Sequence, residues 1–202
     1  MKNIIIALVV LAAAAAGGYF YYDKPAEKPV VVDKNYQELV WDALMPADEL
    51  EIILNPPEEI YNIEDGASND NIDSLQELAK NGGEIGRYYQ ALTSARVVDS
   101  FNNADIKIPG FIVPLVYNEQ DKLTEFFIVP YYGACLHMPP PPPNQMLYSK
   151  VEEGIDIMAS TYSPYWFEGT MAIAMTERDI GSAAYQLDVD TIVPYVEPEV
   201  QQ

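Results

Sequence analysis

The chain opens on an unbroken apolar run, Ile4 to Ala16, continued by Gly17, Gly18 and the aromatic series Tyr19 to Tyr22. One lysine, Lys2, precedes it and no further charge appears until Asp23. A run of this kind approaches the roughly 20 residues a membrane-spanning helix requires. It predicts a signal peptide or signal-anchor helix over residues 1–22, followed by a stiff, proline-bearing linker over residues 23–34. The pattern then becomes helical. Tyr36, Leu39, Val40, Ala43 and Leu44 recur at helical spacing around Trp41 and predict a short helix ending before Pro46, and Asn55-Pro56-Pro57 breaks any continuation. Ile72, Leu75, Leu78 and Ala79 share one helical face, with Asp70 or Asn71 as cap and Asn81-Gly82-Gly83 as stop. Ile85, Tyr88, Tyr89 and Leu92 repeat the period.

After Ala95 the periodicity changes. Val97-Val98, Ile106 to Ile108, Phe111 to Val116, Phe126 to Val129, Met146 to Val151, Trp166 to Met175 and Tyr185 to Tyr195 are short β-prone runs separated by turn signals. Asp105 to Pro109 alternates polar and apolar residues, as in a half-exposed strand. Phe126 to Val129 is apolar throughout and is expected to be buried on both faces. Gly110 and Gly169 fall inside strand-like runs, where a bulge or bend would let a small barrel turn its corners. The fold class expected is mainly β: a small five-stranded OB-like barrel over residues 96–196, with an acidic helical extension over residues 35–95 and a tail at residues 197–202.

Composition narrows the partners. Of 202 residues, 31 are acidic and 11 basic, a formal net charge of -20 that repels phosphate backbones and excludes nucleic acid as a partner. Asn35 to Ala79 holds twelve acidic residues and no basic one. Its oxygen-rich part, Glu64 to Asp73, lacks a glycine and a terminal glutamate at the positions an EF-hand requires and reads as a solvated loop. Lys2 on the short leading side places the rest of the chain across the membrane. A periplasmic location follows, either attached to the inner membrane through residues 1–22 or released after signal cleavage; Ala12 to Ala16 suits the latter and Tyr19 to Tyr22 the former. No cysteine lies near residue 20, which excludes a lipoprotein-type anchor.

The single cysteine and single histidine, Cys135 and His137, stand one residue apart, directly ahead of Met138 and the prolines Pro139 to Pro143. In an extended segment both side chains share a face, so thiolate and imidazole together could ligate a soft or borderline metal such as zinc or copper. Two ligands do not close a zinc site, and the acidic stretch offers further donors without selecting any. The same pair also fits a cysteine nucleophile activated by the imidazole, for which no orienting group or oxyanion site is recognisable, and it equally fits structural packing. A lone cysteine leaves no internal disulfide. The prolines form a polyproline II rod, either a platform for a partner or a stiff crossover that fixes Cys135 and His137. Tyr131 and Tyr132 would wall the site, Pro139 and Pro143 brace it, and Asn144 and Gln145 restore hydrogen bonding where the next strand begins.

The segments Ile108 to Leu115, Glu125 to Met138, the proline run with Asn144-Gln145, Glu168 to Met171 and Ala184-Tyr185 resemble the bacterial family known as domain of unknown function 3299; Tyr36 to Pro46 is similar to its opening helix. The resemblance covers residues 35–196, and its most specific part is the Gly133-Ala134-Cys135-Leu136-His137 and polyproline segment, kept whole here. That family has no established activity. The resemblance implies an exported, membrane-anchored or lipoprotein-like protein of Gram-negative bacteria with links to transporter and metal-homeostasis gene sets. The function expected is therefore an exported, membrane-tethered, non-enzymatic module that binds a transition metal or serves a metal-linked transport assembly. A metal-free structural or interaction domain of an envelope complex is the alternative, and a cysteine-dependent enzyme a weaker one.

Overall fold

The computed structural model describes residues 34–64, 67–69, 71–134, 141–156 and 162–196. Two compact units divide the chain, Met1–Lys34 and Asn35–Gln202, and the fold is that of the second. The expected helix over residues 1–22 and the linker up to residue 33 lie outside the described residues, among which no helix is long and apolar enough to cross a membrane.

Five long strands close a barrel: β2 (Asp105–Tyr117), β3 (Leu123–Val129), β4 (Leu147–Ile155), β5 (Tyr165–Arg178) and β6 (Gly181–Pro194), in the order β2-β3-β4-β6-β5 with β5 returning to β2. A two-residue strand, β1 (Gln37–Glu38), pairs parallel to β2. The expected OB-like barrel is thus present, with one added strand. Closure depends on the length of β2. Its first half pairs with β5, from Asp105↔Thr170 to Gly110↔Tyr165, and its second half with β3, from Phe111↔Val129 onward. One strand therefore serves two neighbours, and the handover falls at Gly110-Phe111.

Alternation builds the interior. Ile106, Ile108 and Ile112 of β2 face Phe167 and Met171 of β5, Phe126 and Ile128 of β3, and Tyr185 and Leu187 of β6 in one core cluster. The expectation for Phe126 to Val129 holds: all four residues are fully buried. Phe126 and Ile128 point into the barrel. Phe127 and Val129 point outward, into a second cluster with Ala134, Met146, Tyr148 and Ala183. Burial of each such side chain contributes about 2 kcal/mol, so both faces of β3 carry weight.

The helical layer precedes the barrel: α1 (Ala47–Leu54), α2 (Glu58–Tyr61), α3 (Ile72–Ala79) and α4 (Gly83–Leu92). The last two match their periodicity, and Asn71 caps α3 by accepting from the Ser74 amide at 2.9 Å. The first expected helix differs. Over Tyr36 to Met45 the chain is extended at β1 and then makes a 3-10 turn at Trp41–Leu44. There the Leu39 amide donates to the Lys107 carbonyl at 2.8 Å and the Trp41 indole to the Pro109 carbonyl at 2.7 Å, so pairing with β2 overrides helical propensity. The helix begins instead after Pro46, whose missing N–H is no loss at a helix start, and α1 stops at Asn55 ahead of Pro56. Val97-Val98 form no strand and pack against the core beside a 3-10 turn at Asp99–Phe101.

Two glycines permit close approach. A Cβ on Gly110 would stand 2.7 Å from Ile128 Cγ2 and 3.2 Å from the Trp41 ring, where the indole covers the barrel corner. A Cβ on Gly169 would stand 2.2 Å from the Asp188 carbonyl oxygen, at the register shift between Glu168 and Gly169. The bulge expected there is present, and its backbone has nowhere to retreat. Gly169→Ala is predicted to destabilise the domain by about 3 kcal/mol, read as a fall in the urea midpoint at unchanged m-value.

Candidate functional site

Residues 130–146 connect β3 to β4, and of these the described Ala134 and Met146 pack against the outside of the barrel. Val129 and Met146 are fully buried at the two ends of the connection, and so is Ala134 within it. Cys135, His137 and Pro139 lie outside the described residues, while Tyr131, Tyr132, Pro143, Asn144 and Gln145 lie within them. Gly133 takes a positive φ of 78°, a left-handed turn that suits glycine and directs the chain onto the barrel before Ala134. Pro141 and Pro142 are buried, and Pro143–Gln145 forms a 3-10 turn that delivers Met146 to β4.

Asn144 is the deepest polar residue among those described in this connection. It is fully buried, and its Nδ2 donates to the Arg96 carbonyl at 2.9 Å and to Glu49 Oε2 at 3.3 Å. Glu49, on the first turn of α1, is itself 93% withdrawn from solvent, with 7% exposed. Its other oxygen, Oε1, accepts from Ser94 Oγ at 2.7 Å and from Arg96 Nη1 at 3.1 Å. Arg96 reaches outward to Asp48 at 2.7 Å, and this hydrogen bond holds the Asp48 carboxyl below its ordinary pKa. Gln145 Nε2 donates to the Trp41 carbonyl at 2.9 Å. Tyr185, fully buried in the barrel, donates to the Leu44 carbonyl at 2.9 Å and accepts from the Val98 amide at 2.7 Å; burial raises its pKa. Helical layer, connection and barrel are therefore joined by buried polar bonds that cross long sequence separations. Asn144 Oδ1 is the exception: it is buried and has no hydrogen-bond partner among the described residues.

On the solvent side the connection is aromatic. Tyr131 and Tyr132 are about half exposed, and Tyr132 sits with its ring centroid 6.3 Å from Phe111 and 5.1 Å from Tyr162. Partial desolvation, reinforced by Tyr162, raises the Tyr132 pKa. The structure thus joins Asn144 to Glu49 and Arg96, with Ser94 on the same carboxylate, and separately sets Tyr132 against Tyr162; the sequence had singled out none of Glu49, Ser94, Arg96 and Tyr162. No local signal could have found them, since Glu49 and Asn144 are 95 positions apart and Glu49 is one acid among twelve. Among the described residues no group of three or more His, Cys, Asp or Glu side chains converges as a metal site.

The border of the outer cluster is also polar. Glu125 Oε2 accepts from Arg178 Nη2 at 2.9 Å, Arg178 Nη2 donates to the Tyr148 hydroxyl at 3.0 Å, and Lys150 Nζ lies 3.7 Å from Glu125 Oε1. The Arg178 hydrogen bond holds the Glu125 carboxyl below its ordinary pKa.

The family model for the protein of unknown function DUF3299 matches residues 41–194, and the chain belongs to that family. A crystal structure of a DUF3299 family protein from Pseudomonas aeruginosa PAO1 resembles it with a TM-score of 0.57 and 32% sequence identity, over 82% of this chain and 99% of that one. No curated protein sequence matches.

Glu125 has a lower pKa folded than unfolded, so the stability it contributes is full above its ordinary value of 4.5 and is lost as pH falls through the depressed folded value. Glu125→Gln is expected to lower the urea midpoint at pH 6 and to approach the wild type as the pH is taken below 4.5 and through the depressed folded value. A gap that stays constant with pH would contradict the assignment.

Proposed function

We propose that this member of the DUF3299 family is an exported, membrane-tethered, non-enzymatic module whose 130–146 connection binds a transition metal, zinc or copper, for a metal-linked transport assembly of the envelope. Cys135 supplies a thiolate and His137 an imidazole. The supporting observation is Asn144 Oδ1, a fully buried acceptor on the same connection that has no hydrogen-bond partner among the described residues. A metal-ligating imidazole donates its second N–H to an oxygen acceptor, and Asn144 Oδ1 is an oxygen of that kind, held by the bonds its Nδ2 makes to Glu49 and Arg96. Tyr131 and Tyr132 wall the connection and Pro139 to Pro143 stiffen it. The remaining ligand positions are left to water or to the partner that exchanges metal.

A second reading has its own support. Ala134, Asn144 and Met146 are fully buried, so the connection is also part of the packing, as a metal-free interaction domain of an envelope complex requires.

Metal analysis separates the two. The metal-binding reading predicts near-stoichiometric zinc or copper on the purified protein, abolished in the Cys135→Ser, His137→Ala double variant while the urea midpoint of the metal-free forms stays the same. Wild-type protein that carries no metal and takes up neither ion at micromolar concentration would refute it. A double variant that is destabilised in the absence of metal would favour the packing reading.

A further inference from the structure

A pair of tyrosines links the 130–146 connection to the one between β4 and β5. Tyr132 and Tyr162 stand with ring centroids 5.1 Å apart and ring planes inclined at 48°. Aromatic rings in contact lie about 4.5–7 Å apart, so this pair is near the short limit. Both rings are anchored to the barrel. Tyr132 lies 6.3 Å from Phe111 of β2, and Phe111 packs in turn against the outer cluster that holds Phe127, Val129 and Ala134. Tyr162 stands just ahead of β5, whose first residue, Tyr165, is buried in the core. The two hydroxyls also interact, Tyr162 acting on the Tyr132 phenol through a hydrogen bond.

Chemistry and access set this pair apart. Tyr148 meets Phe127, Tyr165 meets Phe167 and Tyr195 meets Trp166, so in each of these contacts only one ring is a phenol. Tyr132 and Tyr162 are both phenols, 49% and 68% exposed, and a diffusible oxidant reaches both. A phenol that loses one electron and one proton becomes a phenoxyl radical with spin on the carbons ortho to oxygen. Two such radicals already in ring contact combine at those carbons. The chain has one cysteine and so no internal disulfide, which leaves a tyrosine pair as a covalent tie open to it under oxidation.

We propose that Tyr132 and Tyr162 form an oxidative cross-linking site, at which a peroxide-driven one-electron oxidant joins the two rings and fastens the 130–146 connection to the segment before β5. Each ring gives up one electron and one proton. The new bond forms between two ortho carbons, whose hydrogens leave as protons while the two oxygens regain theirs. The protein thus loses two hydrogens, and one peroxide is reduced to two waters. A biaryl bond keeps its rings twisted out of a common plane, as these rings already are. The loop so closed runs through β4, and closing it restricts the unfolded chain as a disulfide does.

The full chain is treated with hydrogen peroxide and a haem peroxidase, the monomer is isolated, and its tryptic peptides are mapped by mass spectrometry. Cleavage after Lys122, Lys150 and Arg178 puts Tyr132 and Tyr162 on separate peptides, 123–150 and 151–178. The expected product is these two peptides joined with loss of two hydrogens, together with dityrosine fluorescence and a raised urea midpoint in the cross-linked monomer. Tyr132→Phe and Tyr162→Phe are each expected to remove the joined product. Tyr61→Phe, at a tyrosine 78% exposed, is expected to leave it unchanged. Cross-links found only between molecules, a joined product undiminished in Tyr132→Phe or Tyr162→Phe, or a cross-linked monomer with an unchanged urea midpoint would overturn the proposal.

Discussion

The contact between Glu49 and Asn144 is the constraint on which the arrangement of this domain depends. A carboxylate placed 93% out of solvent is unfavourable unless its oxygens are met by donors, and Glu49 is met by Ser94, Arg96 and Asn144. The donors come from two parts of the fold: Ser94 and Arg96 follow the last helix, and Asn144 lies near the end of the β3–β4 connection. None can move without leaving charge or amide unsatisfied. Arg96 is more than half exposed, so its attraction for Glu49 is screened, and the neutral donors Ser94 and Asn144 carry the geometry.

The barrel gives that contact a fixed floor. β2 hands over from β5 to β3 at Gly110, and the corner so formed is capped by Trp41, whose indole bonds the Pro109 carbonyl. Gln145 in turn bonds the Trp41 carbonyl, so the corner of the barrel and the end of the connection share one residue. The outward side of β3 receives Ala134 and Met146, which explains why four successive residues of one strand are buried in a small domain. The connection carrying Cys135 and His137 thus starts and finishes on rigid structure, as a metal-binding reading and an interaction reading both require.

Much of the barrel was legible from residues 96 to 196 because strand alternation is local: Ile106, Ile108 and Ile112 announce an inner face without reference to any partner. Gly169 was legible for the same reason, as a glycine within a β-branched and aromatic run. The first helical stretch was misread because the period of Tyr36 to Leu44 is also that of a short strand followed by a tight turn. Pairing of Leu39 with Lys107, 68 positions away, decided between them. The polar core of the candidate site was illegible throughout. Asn144 and Gln145 were recognisable as residues that restore hydrogen bonding after prolines, but their partners, Glu49, Arg96 and Trp41, are chosen by tertiary contact alone.

The most direct test is a double-mutant cycle between Glu49→Ala and Asn144→Ala, with stability read from urea unfolding of the two single variants, the double variant and wild type. A hydrogen bond to a buried carboxylate that orients the connection predicts a coupling free energy of about 1 kcal/mol, the second substitution costing less once the first is made. Additivity to within about 0.3 kcal/mol would contradict the account, because the connection would then be held on the barrel by its apolar residues without Glu49.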